Sequence, residues 1–194
     1  MVLEKFVVDA PVSLGLVSVS ALVLLIDWIV PGFAASLSCG TYFDPLNVRC
    51  WLRLVSHCVS HESVQHLRGN AVNAMLVGPA CEARLGSARV LRLALAAAVA
   101  SAVTHSLFGR PHTRQLGASG VVFAMILCNS LAAGRQRRIP LTFVFTVLVW
   151  IGGDLVTTFQ VGAANRVSYL AHLSGAAVGT LVGSYYDGGK KNKF

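Results

Sequence analysis

Long apolar runs alternate with short polar breaks along the whole chain. Six runs are each close to the length of a membrane-spanning helix, about 20 residues, and the breaks between them carry Gly, Pro, Arg or Asn. The six runs are Pro11–Val30, Ser63–Cys81, Leu91–Phe108, Leu116–Ala133, Ile139–Phe159 and Tyr169–Tyr185. This pattern predicts an all-α, polytopic membrane protein with six transmembrane helices. Because the breaks are too short to be domain linkers, we expect a single membrane domain over residues 1–194.

The composition excludes several classes of protein. Hydrophobic residues make up 55% of the chain and charged residues only 12%, whereas soluble domains carry about 25% charged residues. A sizeable soluble catalytic domain is therefore excluded. The formal net charge of +8 does not indicate nucleic-acid binding, because the basic residues stand singly or in threes between apolar runs. The five cysteines show neither a CxxC pair nor zinc-ligand spacing, so we expect no metal and no cofactor.

The distribution of Lys and Arg predicts the orientation in the membrane, because these residues accumulate in short cytoplasmic loops. With the N-terminus in the cytoplasm, most of them fall in cytoplasmic segments, and the opposite loops hold only Arg49, Arg53, Arg110, Arg114 and Arg166. We therefore expect both termini to be cytoplasmic. The long loop after the first run then lies on the lumenal or extracellular side.

Polar side chains inside the apolar runs are candidates for function. The second run opens with a stretch rich in donors that holds His57, His61, His66 and Asn70. His66 and Asn70 are four residues apart, so they share one face of a helix and could bind a single oxygen together. The alternative is that these groups bridge neighbouring helices structurally. We favour that alternative for His57 and His61.

The fourth run begins with a serine between glycines, at Gly117, Ser119 and Gly120. A serine in the first turn of a helix has its hydroxyl near unpaired backbone N–H groups and the positive end of the helix dipole, where an oxyanion would be stabilised. Taken alone, the same serine is better explained as a packing residue, as is common in Gly- and Ala-rich transmembrane helices. Phe123, one turn further, is most simply a core residue that shares the face of the serine.

The sixth run carries a stripe of small residues that includes Gly175 and Gly179, with His172 beside it. Such a stripe lets another helix approach closely. If that partner is the fourth helix, packed through Gly120, the His172 imidazole comes within hydrogen-bond reach of Ser119. A nucleophile and its general base would then face each other. Two further charges, Asp27 and Asp154, are interpreted as interfacial and structural, respectively.

Together these motifs resemble the rhomboid family of intramembrane serine proteases, from Trp51 to Gly183. The second helix of the family carries a His-x-x-x-Asn pattern, which His66 and Asn70 meet. A Gly-rich segment with a glutamate follows at Gly78–Ser87, the GxSG motif at Gly117–Gly120 and the AHxxGxxxG motif at Ala171–Gly179. The chain departs from the family in Trp51-Leu52-Arg53, which has an extra residue inside the Trp-Arg pair. It also departs in Gly78-Pro79, where the family has a glycine pair, and in Phe123, where the family often has Tyr.

The resemblance implies a rhomboid-like bundle and a dyad in which Ser119 attacks and His172 is the base, with no third acidic residue. It further implies an oxyanion site made by the Ser119 N–H with His66 and Asn70. The implied substrates are single-pass membrane proteins that enter laterally from the bilayer, near the second and fifth helices. The polar run from His112 to Gln115 and the loop after Phe159 would line a water-filled cavity on the outer side.

Three alternatives remain open, one of which is a transporter or channel. A metalloprotease is the nearest rival enzyme, because Glu62 follows His61 and His66 comes soon after. The two histidines are five residues apart, however, whereas a zinc site on one helical face needs HExxH with a separation of four. The second alternative is a catalytically inactive rhomboid-like protein that binds and escorts transmembrane clients. Such relatives typically lack the serine or the histidine, and this chain has both.

Overall fold

The computed structural model describes residues 7–132, 141, 144–145, 148–149 and 166–188. Apart from five isolated positions, the predicted fifth span lies outside these residues, and so do Asp154 and the loop after Phe159. The elements in chain order are α1 (Pro11–Ile29), α2 (Phe33–Leu37), β1 (Cys39–Gly40), α3 (Val48–Ser56), a 3₁₀ turn (His57–Val59), α4 (Val64–Leu85), α5 (Ser87–Phe108), β2 (Arg114–Gln115), α6 (Ser119–Ala132) and α7 (Arg166–Gly188).

Within the part of the chain that the structure describes, helices occupy five of the predicted spans, and their ends differ from the prediction by a few residues. The all-α architecture is confirmed for the described residues. Among these residues, α1 and α5 are long and apolar enough to cross a membrane, with mean hydropathies of 2.2 and 1.6, and α6 is a shorter apolar helix. α4 is less apolar because it carries Arg68, Asn70, Asn73 and Glu82. The number of six transmembrane helices therefore stays a prediction.

Helix α6 is the centre of the bundle and contacts α4, α5 and α7. Its side chains are buried from Gly120 to Cys128. On one side the small residues of α7 meet its backbone: a Cβ added to Gly175 would collide with the backbone of Gly120, and one added to Gly179 would collide with that of Ala124. Glycine therefore lets the two helices approach to backbone contact, and this approach fixes where their side chains meet.

The start of α1 is held by a side chain from the end of α4. The N-cap of α1 is Ala10, which has no polar side chain to bind the first N–H groups of the helix. Glu82 supplies the acceptors instead: its carboxylate accepts hydrogen bonds from the N–H of Val12 at 3.1 Å and from the N–H and Oγ of Ser13 at 2.8 and 2.7 Å. The negative carboxylate also suits the positive end of the helix dipole.

The loop between α1 and α4, which we call the first loop, contains short elements that the hydrophobic pattern does not predict. Asp27, which we expected to be interfacial, accepts a hydrogen bond from the N–H of Ala34 in the first turn of α2 at 2.8 Å. Asn47 caps α3 by accepting from the N–H of Arg49 at 3.0 Å. The strand β1 pairs with β2 in antiparallel register, with Cys39 opposite Gln115. The first loop is thereby joined to the segment that precedes α6.

Candidate active site

The structure brings the predicted nucleophile and base together. Ser119 is the first residue of α6, and its Oγ lies 2.8 Å from Nε2 of His172 on α7. The two residues are far apart in the sequence, and the close glycine contact between α6 and α7 places them side by side. At this distance the imidazole nitrogen can accept the hydroxyl proton directly, which is the geometric requirement for a general base.

Two contacts orient the His172 ring. Phe123, which the sequence most simply placed in the core, stacks on it with the ring centroids 4.8 Å apart and an interplanar angle of 11°. The Oγ of Ser101 on α5 donates to the carbonyl of Ala171 at 3.0 Å, which ties the backbone next to His172 to a third helix. Ser101 was not singled out from the sequence, because one serine in an Ala-rich helix carries no distinctive pattern.

His66 and Asn70 face the loop that leads into α6. Gly117 has φ +112, and a Cβ at this position would lie 2.7 Å from Nε2 of His66 and 3.5 Å from Nδ2 of Asn70. Only glycine therefore suits both the backbone conformation and the space. The two polar side chains reach the peptide units that immediately precede Ser119. This is where the sequence predicts donors to an oxyanion.

His61 lies deeper and contacts both sides of this site. The side chain is fully buried, and Nε2 accepts a hydrogen bond from Nδ2 of Asn70 at 3.1 Å and lies 3.4 Å from the N–H of Ala118. One imidazole nitrogen thus orients the Asn70 amide and the loop before Ser119 at the same time. From the sequence we favoured a purely structural bridge for His61. The clue available in the sequence was the position of His61, five residues before the His66–Asn70 pair.

His57 is a structural bridge, as the sequence analysis favoured. Its buried Nε2 is 3.0 Å from the carbonyl of Ala98 on α5, and its own carbonyl accepts from the N–H of Gly117 at 2.9 Å. The histidine connects the 3₁₀ turn to α5 and to the loop before α6. It positions the backbone of that loop without facing the Ser119 hydroxyl group itself.

The electrostatics of His61 follow from its burial. Loss of solvent, helped by the neighbouring His66 imidazole, lowers the pKa of His61 to about 4 against an opposing contribution from the Val59 carbonyl. The ring is therefore neutral at physiological pH, which leaves Nε2 free to accept the two N–H groups. The His61 and His66 rings meet edge to face with their centroids 5.0 Å apart.

The metal-binding alternative finds little support in the described residues. Nε2 of His61 already accepts hydrogen bonds, and Glu62 is exposed. Within residues 7–132 and 166–188, no three His, Cys, Asp or Glu side chains are grouped so that they could hold a metal ion.

These observations define a helical protein with a serine–histidine pair between α6 and α7. The family model described as the Rhomboid domain matches residues 48–187, and that range includes every site residue described above. The chain therefore belongs to the rhomboid family, and the resemblance drawn from its motifs is confirmed. Members of this family are integral membrane proteins, generally intramembrane serine proteases, and inactive relatives exist.

Proposed function

We propose that this protein is an active intramembrane serine endopeptidase that cleaves transmembrane segments of single-pass membrane proteins. The observation that carries the proposal is the 2.8 Å distance between Ser119 Oγ and His172 Nε2. Inactive relatives typically lack one of these two groups, whereas this chain holds both in hydrogen-bonding contact. The apolar helices around the pair favour a substrate that is itself a membrane-spanning segment.

The reaction uses the pair twice. Ser119 Oγ attacks the scissile carbonyl carbon while His172 Nε2 takes the hydroxyl proton, and the same nitrogen returns that proton to the leaving amine as the C–N bond breaks. A water molecule then attacks the acyl-enzyme ester, again losing its proton to His172, and the serine leaves with that proton. The stacked Phe123 ring keeps the imidazole in one plane during both proton transfers.

The oxyanion of each tetrahedral intermediate is stabilised by the Ser119 N–H, His66 and Asn70. The Asn70 amide has two N–H donors and gives one to His61, so the second is available to the substrate oxygen. Donors that are fixed before the reaction stabilise the developing charge without reorganisation. His61 contributes here as a positioning residue, because it holds the Asn70 amide by the first N–H group.

The proposed topology is a single rhomboid domain with six transmembrane helices and both termini in the cytoplasm, which places the site near the outer face. The excess of Lys and Arg in the expected cytoplasmic loops supports this orientation. Substrates enter laterally from the bilayer, so the lipid is part of the surroundings in which recognition occurs.

Labelling with a fluorophosphonate tests the activated serine directly. The detergent-solubilised full chain is treated with the probe, and the adduct is mapped by mass spectrometry. We expect an adduct on Ser119 that is lost in His172→Ala and retained in Ser174→Ala, a matched change two residues away. Unlabelled protein with a wild-type unfolding midpoint would contradict the proposal and favour the inactive relative, and its transmembrane clients would then be sought by co-purification.

A further inference from the structure

A cavity of about 810 Å³ lies between the first loop and the turn before β2. This volume is within the range of about 300–1,000 Å³ that is typical of ligand sites. Neither Ser119 nor His172 lines the cavity, so the proposed chemistry does not account for it. His112, Thr113 and Arg114, from the polar run before Ser119, line it.

Two arginines in the lining are held side by side. Nε of Arg53 donates to the carbonyl of Ser36 at 2.9 Å, and Nη1 of Arg114 donates to the carbonyl of the preceding residue, Ala35, at 3.2 Å. Both guanidinium groups are therefore anchored at successive carbonyls of α2. A guanidinium has five N–H donors, so each arginine keeps further donors for another group.

The charge of the lining is not balanced within the cavity. Asp44 is the acidic side chain that lines it among the described residues, and this carboxylate already accepts the N–H of Leu46 at 2.9 Å. His112, which adds an imidazole to the lining, has φ +65, a backbone conformation uncommon for residues other than glycine. Paired guanidinium groups with spare donors bind carboxylates with good geometry.

The cavity is close to the proposed cleavage site along the chain. About five residues separate Arg114 from Ser119, which span at most about 17 Å when extended. The pairing of β1 with β2 holds the cavity wall to this connecting segment. A substrate with its scissile bond at Ser119 therefore has the next few residues within reach of Arg53 and Arg114.

We propose that this cavity binds an acidic side chain of the substrate, located within about five residues of the scissile bond on the outer side of the membrane. The inference rests on the proposed protease function and names a feature of its substrates. Lys and Arg concentrate on the cytoplasmic side of membrane proteins, so the outer flank of a single-pass substrate is where a carboxylate has few basic neighbours. Arg53 and Arg114 stand on that outer side of the enzyme.

A binding measurement tests this proposal without requiring cleavage. The full chain carrying Ser119→Ala is placed in phosphatidylcholine vesicles with a synthetic single-pass peptide whose outer flank holds either Asp or Asn. We expect the Asp peptide to bind about 2- to 5-fold more tightly, the scale of one partly exposed charge pair. Adding Arg114→Gln should remove that preference. Adding Arg49→Gln should retain it, because Arg49 is exposed in the same loop but outside the cavity.

A second variant keeps both arginine anchors. Tyr42 lines the cavity and is 81% exposed, so Tyr42→Glu adds a negative charge there without removing a described hydrogen bond. We expect Tyr42→Glu to abolish the preference for the Asp peptide and Tyr42→Gln to leave it in place. If both Tyr42→Glu and Arg114→Gln abolish the preference and Tyr42→Gln does not, the cause is the charge of the cavity and not a loss of folding.

Three outcomes would overturn the proposal. Equal affinity for the Asp and Asn peptides would show that no acidic side chain is recognised. An equal loss of preference in Arg49→Gln and Arg114→Gln would assign the effect to the general charge of the loop. The third outcome is a loss of the preference for the Asp peptide when phosphatidylglycerol is added to the vesicles. If this loss depends on Arg53 and Arg114, the cavity binds lipid headgroups instead. None of these results bears on Ser119, whose reactivity the fluorophosphonate adduct reports separately.

Discussion

Both ends of α4 carry buried polar side chains, but the two ends use them in opposite ways. We call the end with Glu82, which caps α1, the cap end, and the end with His66 and Asn70 the site end. At the cap end, the Glu82 carboxylate accepts three hydrogen bonds from the first turn of α1. At the site end, Asn70 gives one N–H to His61, and Nδ1 of His66 has no hydrogen-bond partner among the described residues. The Glu82 carboxylate joins two helices, whereas Asn70 and His66 keep hydrogen-bonding capacity, as the proposed oxyanion site requires.

The largest expected effect is the loss of an oxyanion donor at the site end. Asn70→Ala should lower kcat by about 100- to 1,000-fold, with a fall in the thermal unfolding midpoint of no more than about 5 °C. Cleavage of a model transmembrane substrate and circular dichroism measure the two quantities. The matched control is Asn73→Ala on the same helix, because the Asn73 amide donates to the carbonyl of Gly69 within α4. Cleavage by Asn70→Ala at the wild-type rate would remove Asn70 from the oxyanion site.

A change at the cap end should produce the opposite result. Glu82→Ala leaves three donors without their acceptor, so we expect the free energy of unfolding to fall by about 3 kcal/mol, while kcat of the folded fraction stays within about twofold of wild type. Glu82→Gln keeps one acceptor oxygen and should lose less. Unfolding by sodium dodecyl sulfate, followed by circular dichroism, measures the difference.

The control for the cap end is Glu62→Gln, an exposed carboxylate next to the site end of the same helix. It should change stability by less than about 0.5 kcal/mol and leave kcat unchanged. A collapse of kcat in Glu62→Gln together with inhibition by chelators would favour the metalloprotease alternative. A large loss of kcat in Glu82→Ala without loss of stability would erase the contrast between the two ends.

Substitution of His61 should lower kcat less than Asn70→Ala does, but more than Glu82→Ala does. His61→Phe keeps a ring of similar size but removes the acceptor for Asn70 and Ala118, and we expect kcat to fall about 10-fold with little change in KM. His61→Gln restores an acceptor oxygen and should recover much of the rate. The comparison variant is His57→Phe, which should lower the unfolding midpoint more than kcat because His57 bridges to Ala98. Equal rates in both His61 variants would mean that the hydrogen bonds of Nε2 do not position the site.

The smallest effect concerns the dependence of stability on pH. The pKa of His61 is lowered to about 4 in the folded protein, against about 6.5 in the unfolded chain. The unfolded state therefore binds more protons in this range, so the free energy of unfolding falls as the pH drops from 6.5 towards 4. In His61→Gln this contribution is absent, and the decline between pH 6.5 and 5, above most carboxylate titration, should be shallower. Identical slopes in the two proteins would contradict this assignment.

The hydrophobic pattern was sufficient to predict the long helices, and the small residues on them predicted that the Ser119 and His172 motifs face each other. α1 and α5 form where the sequence has long apolar runs. Such a run is visible in the local sequence, so its prediction does not require knowledge of the tertiary contacts. The contact of Gly120 with Gly175 followed from the spacing of small residues, since only small residues allow backbones to meet.

The rest of the structure depends on contacts between distant residues. The caps of α2 and α3 come from single hydrogen bonds to Asp27 and Asn47, and the short β1–β2 pairing joins segments about 75 residues apart. His61 could not be assigned from spacing, because its role is defined by an amide on α4 and a loop N–H that the fold brings to one nitrogen. Polar groups of this kind acquire a role only after the helices have packed.

The capping of α1 by Glu82 also bears on how the chain is made. Ser13 and Glu82 are 69 residues apart, and at a synthesis rate of about 5–20 residues per second the acceptor leaves the ribosome about 3 to 14 s after the donors. During that interval the first turn of α1 has only water and lipid headgroups for its N–H groups. Helix α1 is thus anchored by protein only once α4 has been synthesised, and a chain cut short before Glu82 would keep α1 loose and open to degradation.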